Sequence, residues 1–171
     1  MFLALSLVLC ACGSASDASG GSTPAQPSIE DVVGRLEIAL DLLAEQRVSV
    51  IMNRSNCRLI DYADGSFTAH VADWCVALAG GRPGAFTDDA SADFDGLVAA
   101  LDVGRAAFAD ASVEGHSPSG EITGATFRYT YGFGSELLVF DPGYALPTNV
   151  PGERWYETID DAWYLVTVDW N

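Results

Sequence analysis

The sequence predicts an α+β domain in which two helices pack on one face of a curved antiparallel sheet of about five or six strands. Three observations lead there. Apolar residues recur at helical spacing in two segments, around 29–43 and 94–108. Residues 127–133 alternate between aromatic and smaller side chains with the period of a strand. Eleven of the eighteen aromatic residues lie at or after Phe127, so the C-terminal sheet is expected to supply most of the core.

The first helix starts at Ser28, where Pro27 stops anything upstream and Ser28 with Asp31 forms a capping pattern. Ile29, Val32, Val33, Leu36, Leu40 and Leu43 then form one stripe, and the helix should reach about Gln46. Residues Val48 to Met52 fit either a last helical turn or a short strand. Arg58–Tyr62 and Phe67–Val71 flank an Asp64–Gly65 turn and read as a hairpin. Trp74 to Ala79 either extends the second strand or opens a short helix. Residues 80–84 are a glycine-rich loop.

A second helix is expected from about Ser91 to Phe108. Phe94, Leu97, Val98, Leu101 and Phe108 share a face, and Asp88, Asp89, Asp93 and Asp95 favour its positive N-terminal end. Phe127–Phe133 and Glu136–Phe140 are strands, the latter ended by Asp141-Pro142-Gly143. Trp155–Ile159 and Ala162–Trp170 read as a hairpin turning at Asp160-Asp161. No internal repeat is visible.

At the N-terminus, the apolar run Met1–Ala11 is much shorter than the ~20 residues of a membrane-spanning helix. It ends in Leu9-Cys10-Ala11-Cys12 and a Gly/Ser-rich stretch, and so resembles a bacterial lipoprotein leader with Cys12 as the lipid acceptor. Cys10 stands where a small or β-branched residue is usual. No Lys or Arg precedes the run, so the basic segment of an export signal is expected upstream of Met1. The resemblance implies a signal segment at 1–11, lipidated Cys12 with a tether through residue 27, and one domain at 28–171. It also implies anchoring in the cell envelope, at the outer membrane or the outer face of the cytoplasmic membrane. The competing reading is an ordinary cleavable signal cut near Ala15 or Ala18. The fifteen residues of GSASDASGGSTPAQP would reach on the order of 20 Å as a flexible linker. The ending ERWYETIDDAWYLVTVDW is similar to the terminal strands of NTF2-like and cystatin-like exported domains, which implies architecture only.

Export bears on the cysteines. With Cys10 leaving in the leader and Cys12 lipidated, Cys57 and Cys75 remain as an even pair, which an oxidising compartment favours joining. A metal site of Cys57, His70 and Cys75 is the alternative.

The net charge is −16, and all eight basic residues are Arg. This balance argues against nucleic acid, whose phosphates need basic patches. It also argues against electrostatic adhesion to anionic lipid, leaving the lipid on Cys12 as the membrane contact. Acidic proteins attract cations or basic partners, but solubility alone also accounts for the charge.

No motif names a reaction or a cofactor. The Asp141–Glu153 loop carries Tyr144 and Asn149 between three prolines and leads into Trp155 and Tyr156. These four residues are the candidate contacts for a protein or small-molecule ligand. A rigid, proline-pinned connector is the alternative. The odd-numbered aromatics from Phe127 to Phe133 would either line a pocket or form core. Ser91, Asp93, Asp95, Gly96 and Asp102 partly match an EF-hand calcium loop, although Ser at position 1 and Asp at position 12 depart from it. Acidic helix capping explains the same residues. His70 near Asp61, Asp64 and Asp73, or His116 in a Gly/Ser/Pro-rich stretch, would serve a hydrolase as base. No G-x-S-x-G elbow accompanies them, and structural histidines are the simpler reading. The leading expectation is a non-catalytic, envelope-anchored binding or assembly domain.

Overall fold

The computed structural model describes residues 26–69, 75, 82–117, 120–131, 134–143 and 146–169. The leader, the tether up to Ala25, His70, Tyr144 and Phe133 lie outside these residues. Among the described residues two helices pack on one nine-stranded sheet of order β4-β3-β2-β1-β5-β6-β7-β9-β8.

Helix α1, Ile29–Glu45, begins where its capping pattern places it: the Ser28 side chain accepts the Asp31 N–H at 3.2 Å. Its stripe of Val32, Val33, Leu36, Ala39, Leu40 and Leu43 is buried. Arg47 turns the chain with φ 56° into β1, Val48–Arg54. Strand geometry thus resolves the ambiguous Val48–Met52 segment. β1 pairs with β2, Cys57–Tyr62, and β2 with β3, Gly65–Thr68, through the expected tight turn, in which Tyr62 faces Gly65. A two-residue β4, Gly84–Ala85, joins β3 in parallel, so the sheet is mixed rather than wholly antiparallel.

Helix α2, Asp88–Leu101, is shorter than the spacing suggests. Thr87 caps its start, and Asp102 ends it by accepting the Gly104 N–H at 3.2 Å. Gly104 has φ 74°, a conformation that glycine adopts without strain. Phe108, seven residues past Leu101, keeps helical spacing by coincidence and belongs to β5, Ala107–His116. This strand sits between β1 and β6 at the middle of the sheet. The remaining strands are β6 (Ile122–Tyr131), β7 (Gly134–Phe140), β8 (Arg154–Thr158) and β9 (Trp163–Asp169). The expected count of five or six strands therefore rises to nine through β1, β4 and β5.

Parity along the strands divides the sheet faces. Ile51, Ile60, Phe127, Tyr129, Leu138 and Trp163 face the helices and form the main core. Phe127 and Trp163 stack with centroids 5.8 Å apart, and Tyr129 donates from its hydroxyl to the Leu101 carbonyl at 2.9 Å. Phe127 and Tyr129, read as core or pocket from sequence, are core, at 0% and 1% exposure. On the opposite face Met52, Cys57, Leu59 and Cys75 form a smaller cluster. Cys57 and Cys75 are joined as a disulfide with Cα atoms 5.5 Å apart, the pairing that the cysteine count favoured.

Candidate functional site

The helices cover one sheet face, and the Cys57–Cys75 cluster covers part of the other. Among the described residues, no helix covers the opposite face of β5 to β9. Strand register assembles its rows. Arg128 stands beside Leu137, then Val166, then Tyr156; the adjacent row is Thr126, Val139, Tyr164 and Thr158. Ser135, Val168 and Arg154 form a third row. All of these but Thr158 floor and wall a groove of about 500 Å³, a size suited to a small ligand. Among its described lining residues, none comes from a helix.

The groove is electrically uneven. At one end Asp110 receives two arginines: Arg54 makes a charge-assisted hydrogen bond to Oδ2, and the Arg128 Nε lies 3.6 Å from Oδ1. The second distance is within ion-pair range but too long for a hydrogen bond. The Nε groups of both arginines are buried and make no hydrogen bond among the described residues. Arg154, on the same face, has no acidic partner among the described residues. At the other end lie Glu114, whose carboxylate accepts the Thr126 hydroxyl at 3.2 Å, and Asp141. Gly124 lies beside Glu114: a Cβ there would make an ordinary van der Waals contact with the Glu114 Cβ, at 3.5 Å.

A second, larger cleft of about 1110 Å³ lies between the later turns of α1 and the ends of β6 and β7. Glu37, Asp41 and Glu45 line it at successive helical turns, above Leu40 and Phe140. Like charges spaced i, i+4 cost an isolated helix a few tenths of a kcal/mol per pair. This cleft is a carboxylate-rimmed trough with Arg47 as the cation among its described lining residues.

The structure separates the loop candidates. Tyr156 lies in the helix-free groove. Trp155, its neighbour in an extended strand, projects to the opposite face and is 41% exposed. The two therefore do not form the joint aromatic surface that their adjacency suggested. The Asn149 side chain is engaged internally, its Oδ1 accepting the Tyr156 N–H at 2.7 Å. Tyr144 lies outside the described residues.

The calcium candidates are helical rather than looped. Asp93 accepts the Tyr62 hydroxyl at 2.9 Å, Asp95 pairs with Arg58 at 2.7 Å, and Asp102 forms the turn after α2. Nine residues of helical rise hold Asp93 and Asp102 roughly 13 Å apart. Among the described residues no group of three or more His, Cys, Asp or Glu is placed to hold a metal ion. His116 ends β5 opposite Ile122, in a strand rather than in the loop that its neighbours suggested. His70, the other candidate base, lies outside the described residues.

Two tyrosines are held protonated beyond the usual range. Burial raises the Tyr62 pKa, assisted by its hydrogen bond to Asp93 and nearby carboxylates. Burial also raises that of Tyr129, with a smaller contribution from Asp102. Both serve packing and hydrogen bonding, and neither lines the groove.

Sequence reasoning missed Arg128, Tyr164, Arg154 and Glu114. Arg128 interrupts a strand segment otherwise rich in β-formers, and the even parity of Arg128 and Tyr164 separates both from the core. That parity was readable; the strand order that unites the four was not. No family model, curated protein or solved structure matches the chain.

Proposed function

We propose that this chain is a lipid-anchored envelope protein whose α+β domain binds a ligand without transforming it. The observation that carries the binding role is the groove on the helix-free face. Apolar, tyrosine and arginine side chains converge there although neither helix contributes to its described lining. Buried Val139 and Val166 give it an apolar floor, and the charged side chains at its ends offer orientation. Such a combination is the usual composition of a small-ligand site. Support for anchoring is the Leu9-Cys10-Ala11-Cys12 signature followed by a tether. No helix among the described residues is long and apolar enough to cross a membrane.

Two measurements test this reading. In a bacterial host, the chain expressed with the basic segment expected upstream of Met1 should incorporate radiolabelled palmitate and sediment with membranes, and Cys12→Ala should do neither. Unlabelled wild type in the soluble fraction would reject the anchor. For the groove, a fragment library titrated into the detergent-solubilised chain should perturb the amides of Tyr156, Tyr164 and Arg128. Fragments that bind only elsewhere would reject the site.

A further inference from the structure

The charges of the groove identify a class of ligand. At the basic end Arg128, whose Nε lies 3.6 Å from Asp110, and Arg154, which has no acidic partner among the described residues, both line the groove. Two of the chain's eight arginines thus line one groove, and one of them shares its aspartate with Arg54, in a protein of net charge −16. A solvated acidic surface does not require such a local excess of positive charge. Asp110 neutralises one guanidinium, so an anionic group entering from the groove would meet Arg128 and Arg154 with their charge incompletely matched. Arginine's planar fork favours a carboxylate in that position.

The opposite end is complementary in sign. Glu114 and Asp141 line it, and the lining of the groove places no arginine beside them. Gly124, beside Glu114, and Arg128 are four residues apart on β6, which at strand rise is about 13 Å. An extended peptide of about four residues spans the same length. Between the two ends lie Leu137, Val139 and the two tyrosines, surfaces that suit small apolar side chains. A ligand with a single charge would leave one end of the groove unmatched.

Building on the binding role proposed above, we infer that the groove holds a short peptide of about four residues with both termini free. Its N-terminal ammonium lies at Glu114 and Asp141, and its C-terminal carboxylate lies at Arg128 and Arg154. The binding is electrostatic at both ends and apolar between them, so it is tolerant of sequence and sensitive to the termini.

Calorimetry with the full chain in detergent and tetra-alanine as the probe tests the inference. Free tetra-alanine should bind, and either N-acetylation or C-terminal amidation should weaken it at least tenfold. Arg128→Gln should weaken the free peptide and abolish the penalty for amidation, while Glu114→Gln should abolish the penalty for acetylation. Arg154→Gln, at an exposed edge position, repeats the carboxylate test without disturbing Asp110. Equal affinity for free and capped peptides would overturn the inference, as would an undiminished amidation penalty in both arginine variants. Absence of peptide heat, with fragments still perturbing Tyr156 and Tyr164, would overturn it and leave the groove as a site for another ligand. Silence from peptides and fragments alike would reject both readings.

Discussion

The side-chain oxygen of Asn149 accepts the backbone N–H of Tyr156 at 2.7 Å, so a connecting loop closes the edge of the sheet. Ile159 N donates to Trp163 O, and Asp169 N to Glu153 O. The odd-numbered residues of β8 therefore pair with β9, and the even-numbered ones turn their peptide groups outward. Of the three outward N–H groups, Arg154 donates to the Val150 carbonyl at 2.9 Å and Tyr156 to Asn149. Among the described residues, the Thr158 N–H is the outward donor of β8 that remains to receive a foreign strand. An edge with its donors occupied resists pairing with other chains. The same bond fixes the backbone that carries Tyr156 into the groove.

Asn149→Ala should free the Tyr156 amide. The lost hydrogen bond is worth about 1 kcal/mol locally. Amide exchange at Tyr156 should quicken several-fold, while Asn149→Asp, which keeps the acceptor, should preserve protection. Unchanged exchange in the alanine variant would show that the loop does not cap the edge.

Opening the Cys57–Cys75 bond should lower stability by about 3 kcal/mol, since it closes a loop across 18 positions of sequence separation. The paired Cys57→Ser, Cys75→Ser variant, compared with wild type by urea denaturation, measures the loss. The loss should fall on the β1–β2 side of the sheet, where Met52 and Leu59 pack against the sulfurs. A midpoint unmoved by the substitutions would mean that the bond does not constrain the unfolded chain.

Much of this architecture was legible in the residues. Ser28 capped the helix it announced, Asp64–Gly65 turned the hairpin, and Trp163 began the last strand opposite Phe140. Strand β5 was not legible, because Ala-Phe-Ala-Asp-Ala-Ser has weak β-propensity and is held in place by hydrogen bonds to β1 and β6. Phe108 at helical spacing from Leu101 reinforced the error. The groove was hidden for a different reason. Glu114, Arg128, Arg154 and Tyr164 come from four strands, and only the register of the sheet makes them neighbours. Asn149 and Trp155 attracted attention by residue type, yet one is committed to the backbone and the other faces away.

Alkaline pH should destabilise the fold through Tyr62 and Tyr129. Their pKa values are raised in the folded state, chiefly by burial. Unfolded tyrosine ionises near pH 10. Stability from keeping these phenols protonated is therefore fully present below about pH 10 and falls as pH rises above it. Urea midpoints measured from pH 8 to pH 11.5 should decline at the upper end. Tyr62→Phe with Tyr129→Phe should flatten that decline while lowering stability at neutral pH, because the Leu101 carbonyl and Asp93 each lose a donor. An identical alkaline slope in the double variant would assign the decline to other groups.

Asp110 should matter more to stability than either arginine it serves. It is 17% exposed, against 37% for Arg54 and 34% for Arg128. Asp110→Asn removes the carboxylate that pairs with two guanidiniums and should cost about 1–3 kcal/mol. Arg128→Gln leaves Arg54 and Asp110 paired, and should cost under about 1 kcal/mol. The combination is the diagnostic case. Once Asp110 is neutral, Arg128 only repels Arg54, so adding Arg128→Gln to Asp110→Asn should restore part of the loss. Chemical denaturation of the wild type, both single variants and the double variant closes the cycle. Strictly additive losses would mean that the two arginines do not share the aspartate in solution, and the excess positive charge at this end of the groove would then lose its structural basis.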